Sequence, residues 1–319
     1  MGTDPLPWLL EPENPSARYR ALTGLLDRPA DDPEVLAARA AIPGWGAARA
    51  ILDAQWPEGY WIAPGIGYSP KYKATVWQLI FLAALGAPRT EAVDRACVHV
   101  LSDSRLPDGR FSAKKTAQGA IACLGGNLLR ALMQLGFDDP RMMESTEALA
   151  KMVIRDGYRC RYNALRDRDG VWPQRMRDGL PCAWGAIKVL GAFAERPEER
   201  RSPAVRNAIE AGVALLLGGD LSGGDYPTAT EPSPLWQQFG FPLGYTSDLL
   251  EALEVLGKLG VEPGSQLAPA LEVVRSKRTR SGRWILEHTP ENTWAGFGKV
   301  DEANKWVTLR ALRALKRWG

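Results

Sequence analysis

The sequence is poor in the residues that build metal, redox and membrane-spanning sites. Its 319 residues include four Cys and two His, and no two cysteines form a Cys-x-x-Cys pair. So few cysteines exclude a disulfide-stabilised scaffold. Stretches of about 18 consecutive apolar residues are lacking, so we expect no transmembrane segment. The start of the chain lacks the basic and apolar regions of a signal peptide, and we therefore expect a cytoplasmic protein with reduced thiols.

Positive and negative charges are nearly balanced, and neither is in large excess. The 40 Lys and Arg residues and the 37 Asp and Glu residues give a net charge of +3, which is too small to indicate a nucleic-acid partner. The sequence also lacks a P-loop, a Gly-x-Gly-x-x-Gly segment and a nucleophile elbow, the usual signs of nucleotide and serine-hydrolase sites. Peripheral contact with a membrane is compatible with this composition.

Tryptophan, in contrast, is abundant, and it accompanies an internal repeat. The 12 Trp residues outnumber the 8 Tyr and the 7 Phe. Short turns, each with a glycine next to an aromatic or bulky residue, recur at intervals of 48 to 67 residues. Such a period indicates a helical repeat architecture. The aligned glycines of these turns are Gly59, Gly109, Gly157, Gly224 and Gly282.

Two classes of helix alternate with these turns. The helix before each turn is charged on one side, whereas the helix after it is apolar over more than half of its circumference, which is typical of burial on most sides. Together with an N-terminal copy, the pattern predicts six apolar helices within residues 17–29, 74–86, 120–136, 181–194, 245–260 and 304–319. Charged helices are predicted within residues 90–103, 139–154, 202–217 and 265–278.

This alternation predicts a closed ring of helices. An open solenoid needs polar terminal repeats, yet the first and last apolar helices are as apolar as the central ones. The chain also ends with an apolar helix that can pack on the first. We therefore expect an all-α fold, an α/α toroid of about six inner and five to six outer helices, formed as a single domain by residues 1–319.

The first turn resembles a motif of the terpenoid cyclases and protein prenyltransferases. Squalene-type cyclases repeat the pattern Leu-x-x-x-Gln-x-x-x-Gly-x-Trp, and Gln55, Gly59 and Trp61 match it, with Ile51 at the leucine position. The likeness extends over nearly the whole chain through the order of turns and helices, and it is strongest to the compact bacterial prenyltransferase-like, or squalene-cyclase-like, proteins. It implies a toroid with a central cavity for an isoprenoid-like ligand.

The resemblance also directs attention to one acidic segment. Squalene-hopene-type cyclases protonate an alkene with the middle Asp of Asp-x-Asp-Asp-Thr-Ala. In the comparable segment here, Asp248 matches the last Asp, whereas Ser247 and Tyr245 occupy the positions of the donor and of the first Asp. Asp248, Tyr245 and His288 are therefore the candidate catalytic residues. The alternatives are that Asp248 stabilises the start of its helix and that His288 is an ordinary loop histidine.

Three cysteines are predicted to lie in one sector of the rim at which the inner helices of the toroid begin. Cys123 and Cys182 lie at inner-helix starts, and Cys160 follows the third turn. Protein prenyltransferases place zinc at such a rim, but Leu180 occupies the position of their Asp ligand, so their site does not carry over. A different zinc site, in which a nearby Asp or His288 completes the three thiolates, is one hypothesis. Three buried structural thiols are the other.

Aromatic and basic residues cluster on the predicted starts of the inner helices. Aromatic faces stabilise carbocations, and cations near helix N-termini suit an anionic group. Ordinary packing and a solvated rim are the alternative explanations. The candidate ligand-binding residues are Tyr72, Lys73, Trp77, Trp184, Trp236, Trp294, Lys305 and Trp306.

These patterns leave three functional hypotheses. The first is an enzyme or binder of an apolar, isoprenoid-like small molecule in an axial aromatic cavity. The second is a non-catalytic toroid that binds a peptide or protein at its rim. The third is a zinc-dependent transferase with a Cys-rich site.

Overall fold

The computed structural model describes residues 3–159, 181–224, 233–262 and 264–319. Within these ranges the extended backbone forms isolated bridges only, and the regular elements are helices. The α-helices, numbered in chain order, are α1 (Leu6–Leu9), α2 (Pro15–Gly24), α3 (Pro33–Ala41), α4 (Gly46–Asp53), α5 (Thr75–Leu85), α6 (Glu91–Asp103), α7 (Ala122–Gln134), α8 (Pro140–Asp156), α9 (Ala183–Ala194), α10 (Pro203–Leu217), α11 (Leu249–Lys258), α12 (Ala268–Ser276) and α13 (Lys305–Trp318).

Local sequence signals start these helices where the pattern predicts. The side chains of Asp139 and Ser202 accept hydrogen bonds from backbone amides in the first turns of α8 and α10, and proline follows each of them. Asn304 caps α13 in the same way. Such caps satisfy backbone donors that a helix start leaves unpaired.

Six helices form an inner ring. Helices α5, α7, α9, α11, α13 and α2 pack as successive neighbours around it. The last step, from α2 to α5, is made by Ser16 Oγ, which donates to the Leu85 carbonyl at 2.7 Å, and by Arg20, which donates to the Ala83 carbonyl at 2.5 Å. Helices α3, α4, α6, α8, α10 and α12 lie outside. The predicted α/α toroid is confirmed.

The ring closes between its first and last inner helices. Trp306 Nε1 donates to Ser16 Oγ at 3.0 Å. Leu309 packs with Leu9 and Ala21 in a small buried cluster. The predicted contact between α13 and the first inner helix is therefore present.

Tryptophans of the repeated turns tie outer helices to inner helices. Trp61 is fully buried; its Nε1 donates to the Ile51 carbonyl in α4 at 2.7 Å, and its backbone N–H donates to Thr75 Oγ1 at the start of α5. Trp284 repeats this pair of bonds between α12 and α13. The five repeat glycines all have positive φ, between 62° and 95°, which explains why glycine recurs there.

The closest approach in the ring is between α7 and α9. A Cβ atom added to Gly126 would lie 2.4 Å from the backbone carbonyl carbon of Lys188. Glycine therefore lets the two backbones meet at a distance that no other residue allows. None of the helices in the described ranges is both long and apolar enough to span a membrane.

Candidate functional site

A cavity of about 320 Å³ lies on the axis of the ring. All six inner helices, or the residues next to them, contribute to its wall, which places the cavity at the centre of the ring. One wall residue from each of these segments is Arg20, Ile80, Asn127, Glu195, Glu254 and Arg310.

The cavity is closed at the end where the inner helices begin. The segment 239–244 crosses that end, and its Phe241 ring stacks on Trp306 with centroids 4.6 Å apart and planes 4° from parallel. The backbone of this segment is held from several sides: Asn127 donates to the Gly244 carbonyl at 2.9 Å, and Arg310 donates to the Gly240 carbonyl at 2.7 Å.

The cavity opens at the other end, towards the C-termini of the inner helices. Among its charged lining residues, Lys258 and Arg313 have 44% and 39% of their side-chain surface exposed, whereas Trp306 near the closed end is 6% exposed. Lys258 is the last residue of α11, and Arg313 lies in the second half of α13. These residues define the mouth.

Part of the cavity wall is apolar. It combines an aromatic pair at the closed end with aliphatic side chains from α5, α7 and α13. The aromatic lining is therefore limited to that pair, of which Trp306 was predicted from the sequence. The apolar wall residues are Ile80, Ala83, Ala84, Ala131, Phe241, Leu243, Trp306 and Leu309.

Another part of the wall carries buried ion pairs between helices. Lys188 Nζ in α9 lies 2.6 Å from Glu251 in α11, and Arg130 in α7 lies 2.9 Å from the same carboxylate. Burial alone would raise the pKa of Glu251, but Lys188 and Arg130 outweigh burial and lower it. Glu251 is therefore held as an anion.

A second carboxylate is shared nearer the mouth. Glu195 accepts hydrogen bonds from Lys258 and, at 2.8 Å, from Gln134. Burial acts to raise its pKa, but Lys258 and Arg130 lower it overall. The Arg130 Nε lies 3.6 Å from Glu195 and makes no hydrogen bond.

Asp248, the predicted acid, is buried and paired with Arg310. Its carboxylate accepts hydrogen bonds from Glu251 N at the start of α11, from Gly240 N, and from Arg310 Nη1 and Nη2 at 2.9 and 2.7 Å. Burial lowers the pKa of Arg310, but Asp248 and Glu254 outweigh burial and raise it. Four donors surround the carboxylate, so its surroundings favour the helix-stabilising interpretation over that of a proton donor.

The other two candidate catalytic residues lie outside the axial cavity. Tyr245 is half-buried, with the Lys71 ammonium 4.1 Å from its ring centroid. His288 is half-buried beside Gly240, to which its backbone is bridged. Burial lowers the pKa of His288, against the opposing charges of Asp248 and Glu291.

Four predicted ligand-binding or catalytic aromatics meet at the rim where the inner helices begin. The Tyr72 ring lies 5.1 Å from Trp77, and the Trp184 ring lies 6.3 Å from Tyr245. Burial and a hydrogen bond with Tyr245 raise the pKa of Tyr72. These residues pack together as predicted, but behind the closed end of the cavity.

The remaining candidates have separate partners. Lys73 lies over the Trp294 ring at 4.7 Å, and Lys305 Nζ contacts the Trp8 carbonyl at 2.6 Å. The Trp236 indole donates to the Leu221 carbonyl in the fourth turn. Of the predicted site residues that the structure describes, Trp306 lines the axial cavity and the others do not.

Two of the three candidate metal-binding cysteines lie at the starts of inner helices, as predicted. Cys182 caps α9 by accepting a hydrogen bond from Gly185 N at 3.4 Å, and Cys123 is half-buried in the first turn of α7. Cys160 lies outside the described residues. Among the residues that the structure describes, no group of three His, Cys, Asp or Glu side chains could hold a metal ion.

The sequence reasoning missed most of the charged lining, although a signal was present. In five of the six inner helices, the residue five positions after the first lines the cavity, and in α9 this residue, Lys188, pairs with the cavity-lining Glu251. Charged residues at this position of otherwise apolar helices mark the cavity wall. The six residues are Arg20, Ile80, Asn127, Lys188, Glu254 and Arg310.

Comparison with known proteins gives distant likenesses only. No family model matches the chain, and no curated protein matches it in sequence. Among solved structures, the type II terpene cyclase MstE from Scytonema, without ligand, is 15% identical with a TM-score of 0.28. A variant of the same enzyme in complex with its product merosterolic acid A is 13% identical with a TM-score of 0.29. Each alignment covers 84% of this chain and 94% of the other. The ring of α2, α5, α7, α9, α11 and α13 itself establishes the fold, which is an α/α toroid.

Proposed function

We propose that the protein binds a small, amphiphilic, isoprenoid-like molecule in its axial cavity. The carrying observation is that one cavity combines aliphatic lining and an aromatic pair at its closed end with charged side chains that extend to its open mouth. The apolar chain of the ligand lies against Ala84 and Leu309, with its end on the Phe241–Trp306 pair. The polar head faces the mouth.

The volume limits the size of this ligand. About 320 Å³ lies at the lower end of the range of roughly 300 to 1,000 Å³ for ligand pockets. A cavity of this size suits a ligand with a short isoprenoid chain. Because segment 239–244 blocks the far end, a longer chain has to extend from the mouth.

The charged part of the wall makes a purely apolar ligand unfavourable. An apolar chain that covered Glu251 or Arg130 would remove water from charges without replacing its hydrogen bonds. A ligand with a polar head at the mouth avoids this cost, because the head can bond with the charged side chains there.

Calorimetric titration with geraniol, a short isoprenoid alcohol, tests the proposal. Wild-type protein should bind it, and Ala84→Trp, which places an indole in the half-open cavity, should abolish binding. Leu36→Trp is the matched control, because Leu36 lies on the outer helix α3 with 53% of its surface exposed. Binding that survives Ala84→Trp would place the ligand elsewhere and refute the proposal.

A further inference from the structure

We propose that the mouth of the axial cavity binds a dianionic phosphate group between Arg20 and Arg313. This inference rests on the proposed function and specifies the head of the ligand. It follows from the pairing of charges around the cavity, from the free donors there and from the geometry of arginine.

The described charges around the axis do not cancel. Four carboxylates, those of Glu195, Asp248, Glu251 and Glu254, have close basic partners. Their partners are four basic side chains: Arg130, Lys188, Lys258 and Arg310. Arg20 and Arg313 remain, which leaves an excess of two positive charges at the mouth.

Neither of these two arginines has a carboxylate to itself within the described residues. Arg20 donates to the Ala83 carbonyl and forms no salt bridge with a described carboxylate. Arg313 lies 3.5 Å from Glu254, whose other oxygen already accepts from Arg310 at 2.9 Å. Both line the cavity, on the adjacent helices α2 and α13.

The cations at the mouth also repel one another. Burial is the main cause that lowers the pKa of Arg20, and Arg313 and Arg130 add to it against the opposing effects of Tyr19 and Glu195. The pKa of Lys258 is lowered by burial, and Arg130 and Arg313 add to this against Glu195. A bound anion relieves such repulsion.

Phosphate suits these donors better than carboxylate does. A phosphate monoester carries close to two negative charges at neutral pH and offers three acceptor oxygens. Arginine donates pairs of parallel hydrogen bonds to such oxygens. Two arginines with an uncompensated charge of two therefore match a dianion, whereas a carboxylate would neutralise one of them. The Arg130 Nε, which is buried and makes no hydrogen bond, is a further donor beside this position.

Three probes that share the same isoprenoid chain distinguish the contribution of the head group to affinity from that of the chain. Titrations of wild-type protein with geraniol, geranic acid and geranyl phosphate differ in the head alone. Each charge-assisted hydrogen bond contributes about tenfold or more in affinity. We expect geranyl phosphate to bind at least tenfold more tightly than geranic acid, and geranic acid more tightly than geraniol.

Variants assign this preference to the two arginines. Arg313→Gln changes a half-exposed side chain and should fold normally, and it should remove most of the preference for phosphate. Arg20→Gln should act in the same way, with circular dichroism as the check of folding. The control is Arg49→Gln, which removes the same charge from the outer helix α4, where Arg49 is 68% exposed; it should leave all three affinities unchanged.

The outcomes separate this inference from the proposed function. If all three compounds bind equally, or if Arg313→Gln keeps the preference, the phosphate site is refuted while the cavity proposal survives. If geraniol and geranyl phosphate both fail to bind, the proposed function fails. If inorganic phosphate binds as tightly as geranyl phosphate and depends on Arg313, the anion site is supported, free phosphate is its ligand, and the isoprenoid part is refuted.

Discussion

Replacing Asp248 by asparagine distinguishes a structural anion from a catalytic acid. Asp248→Asn keeps the shape of the side chain and its capping oxygen but removes the charge that faces Arg310. The Asp248 side chain is 1% exposed and that of Arg310 is 9% exposed, so hydration replaces little of the lost interaction with the carboxylate. Both carboxylate oxygens of Asp248 accept hydrogen bonds from Arg310. In the variant, the amide NH₂ group replaces one of these acceptors and faces an N–H donor of Arg310.

The expected loss of stability is large. Breaking a buried ion pair by removing one partner costs about 3–5 kcal/mol. That is a considerable part of the roughly 5–15 kcal/mol that stabilises a folded protein. Urea denaturation at neutral pH, followed by circular dichroism, measures the free energy of unfolding directly.

Asp139→Asn is the matched control. Asp139 also caps a helix and pairs with an arginine, but that pair is at the surface, with 19% of the Asp139 and 37% of the Arg141 side chain exposed. Exposed pairs contribute about 0–1 kcal/mol. If Asp248→Asn costs no more than Asp139→Asn, the structural role of Asp248 is refuted, because a catalytic acid can be replaced with little loss of stability.

Three further predictions concern packing and pH. Gly126→Ala should lower the free energy of unfolding by about 2 kcal/mol or more, because its Cβ would lie 2.4 Å from the backbone of α9. Gly46→Ala, whose Cβ would have no atom within 4 Å, should be neutral in the same denaturation assay. Trp284→Phe should cost about 1–3 kcal/mol by leaving a buried carbonyl unpaired, whereas Trp56→Phe, at a 52% exposed residue, should change stability little. The lowered pKa of Glu251 stabilises the fold above its unfolded pKa of about 4.3, and this contribution is lost as the pH falls through the lower folded value. The stability of Glu251→Gln should therefore depend less on pH below about 4 than that of wild type. Urea denaturation midpoints across this pH range measure the difference, and an equal pH dependence would contradict the lowered pKa of Glu251 in the folded protein.

The fold could be predicted because its signals are local. A turn glycine such as Gly59 needs positive φ, and the buried Trp61 bonds to residues of the helices on both sides of the turn. Both constraints repeat with the helices, so a single sequence displays them several times. Ring closure followed from the apolarity of the terminal helices, and the bond from Trp306 to Ser16 realises it.

The cavity could not be placed in the same way. Inner-helix starts attract attention because they carry unpaired donors, but segment 239–244 covers that end of the axis. Nothing in the local sequence around Phe241 indicates that it stacks on a helix 65 residues later. Likewise, Lys188 and Glu251 are charged residues in apolar helices, and the reason is their ion pair, which forms only because α9 and α11 are neighbours in the folded ring.

A crystal structure of the protein grown with geraniol tests the central claim most directly. The account predicts ligand density on the ring axis, between Ala84 and Leu309, with its apolar end on the Phe241–Trp306 pair and its hydroxyl towards Arg313. Density at the opposite rim, among Tyr72, Trp184 and Tyr245, or an axial cavity that holds only water at saturating geraniol, would contradict it.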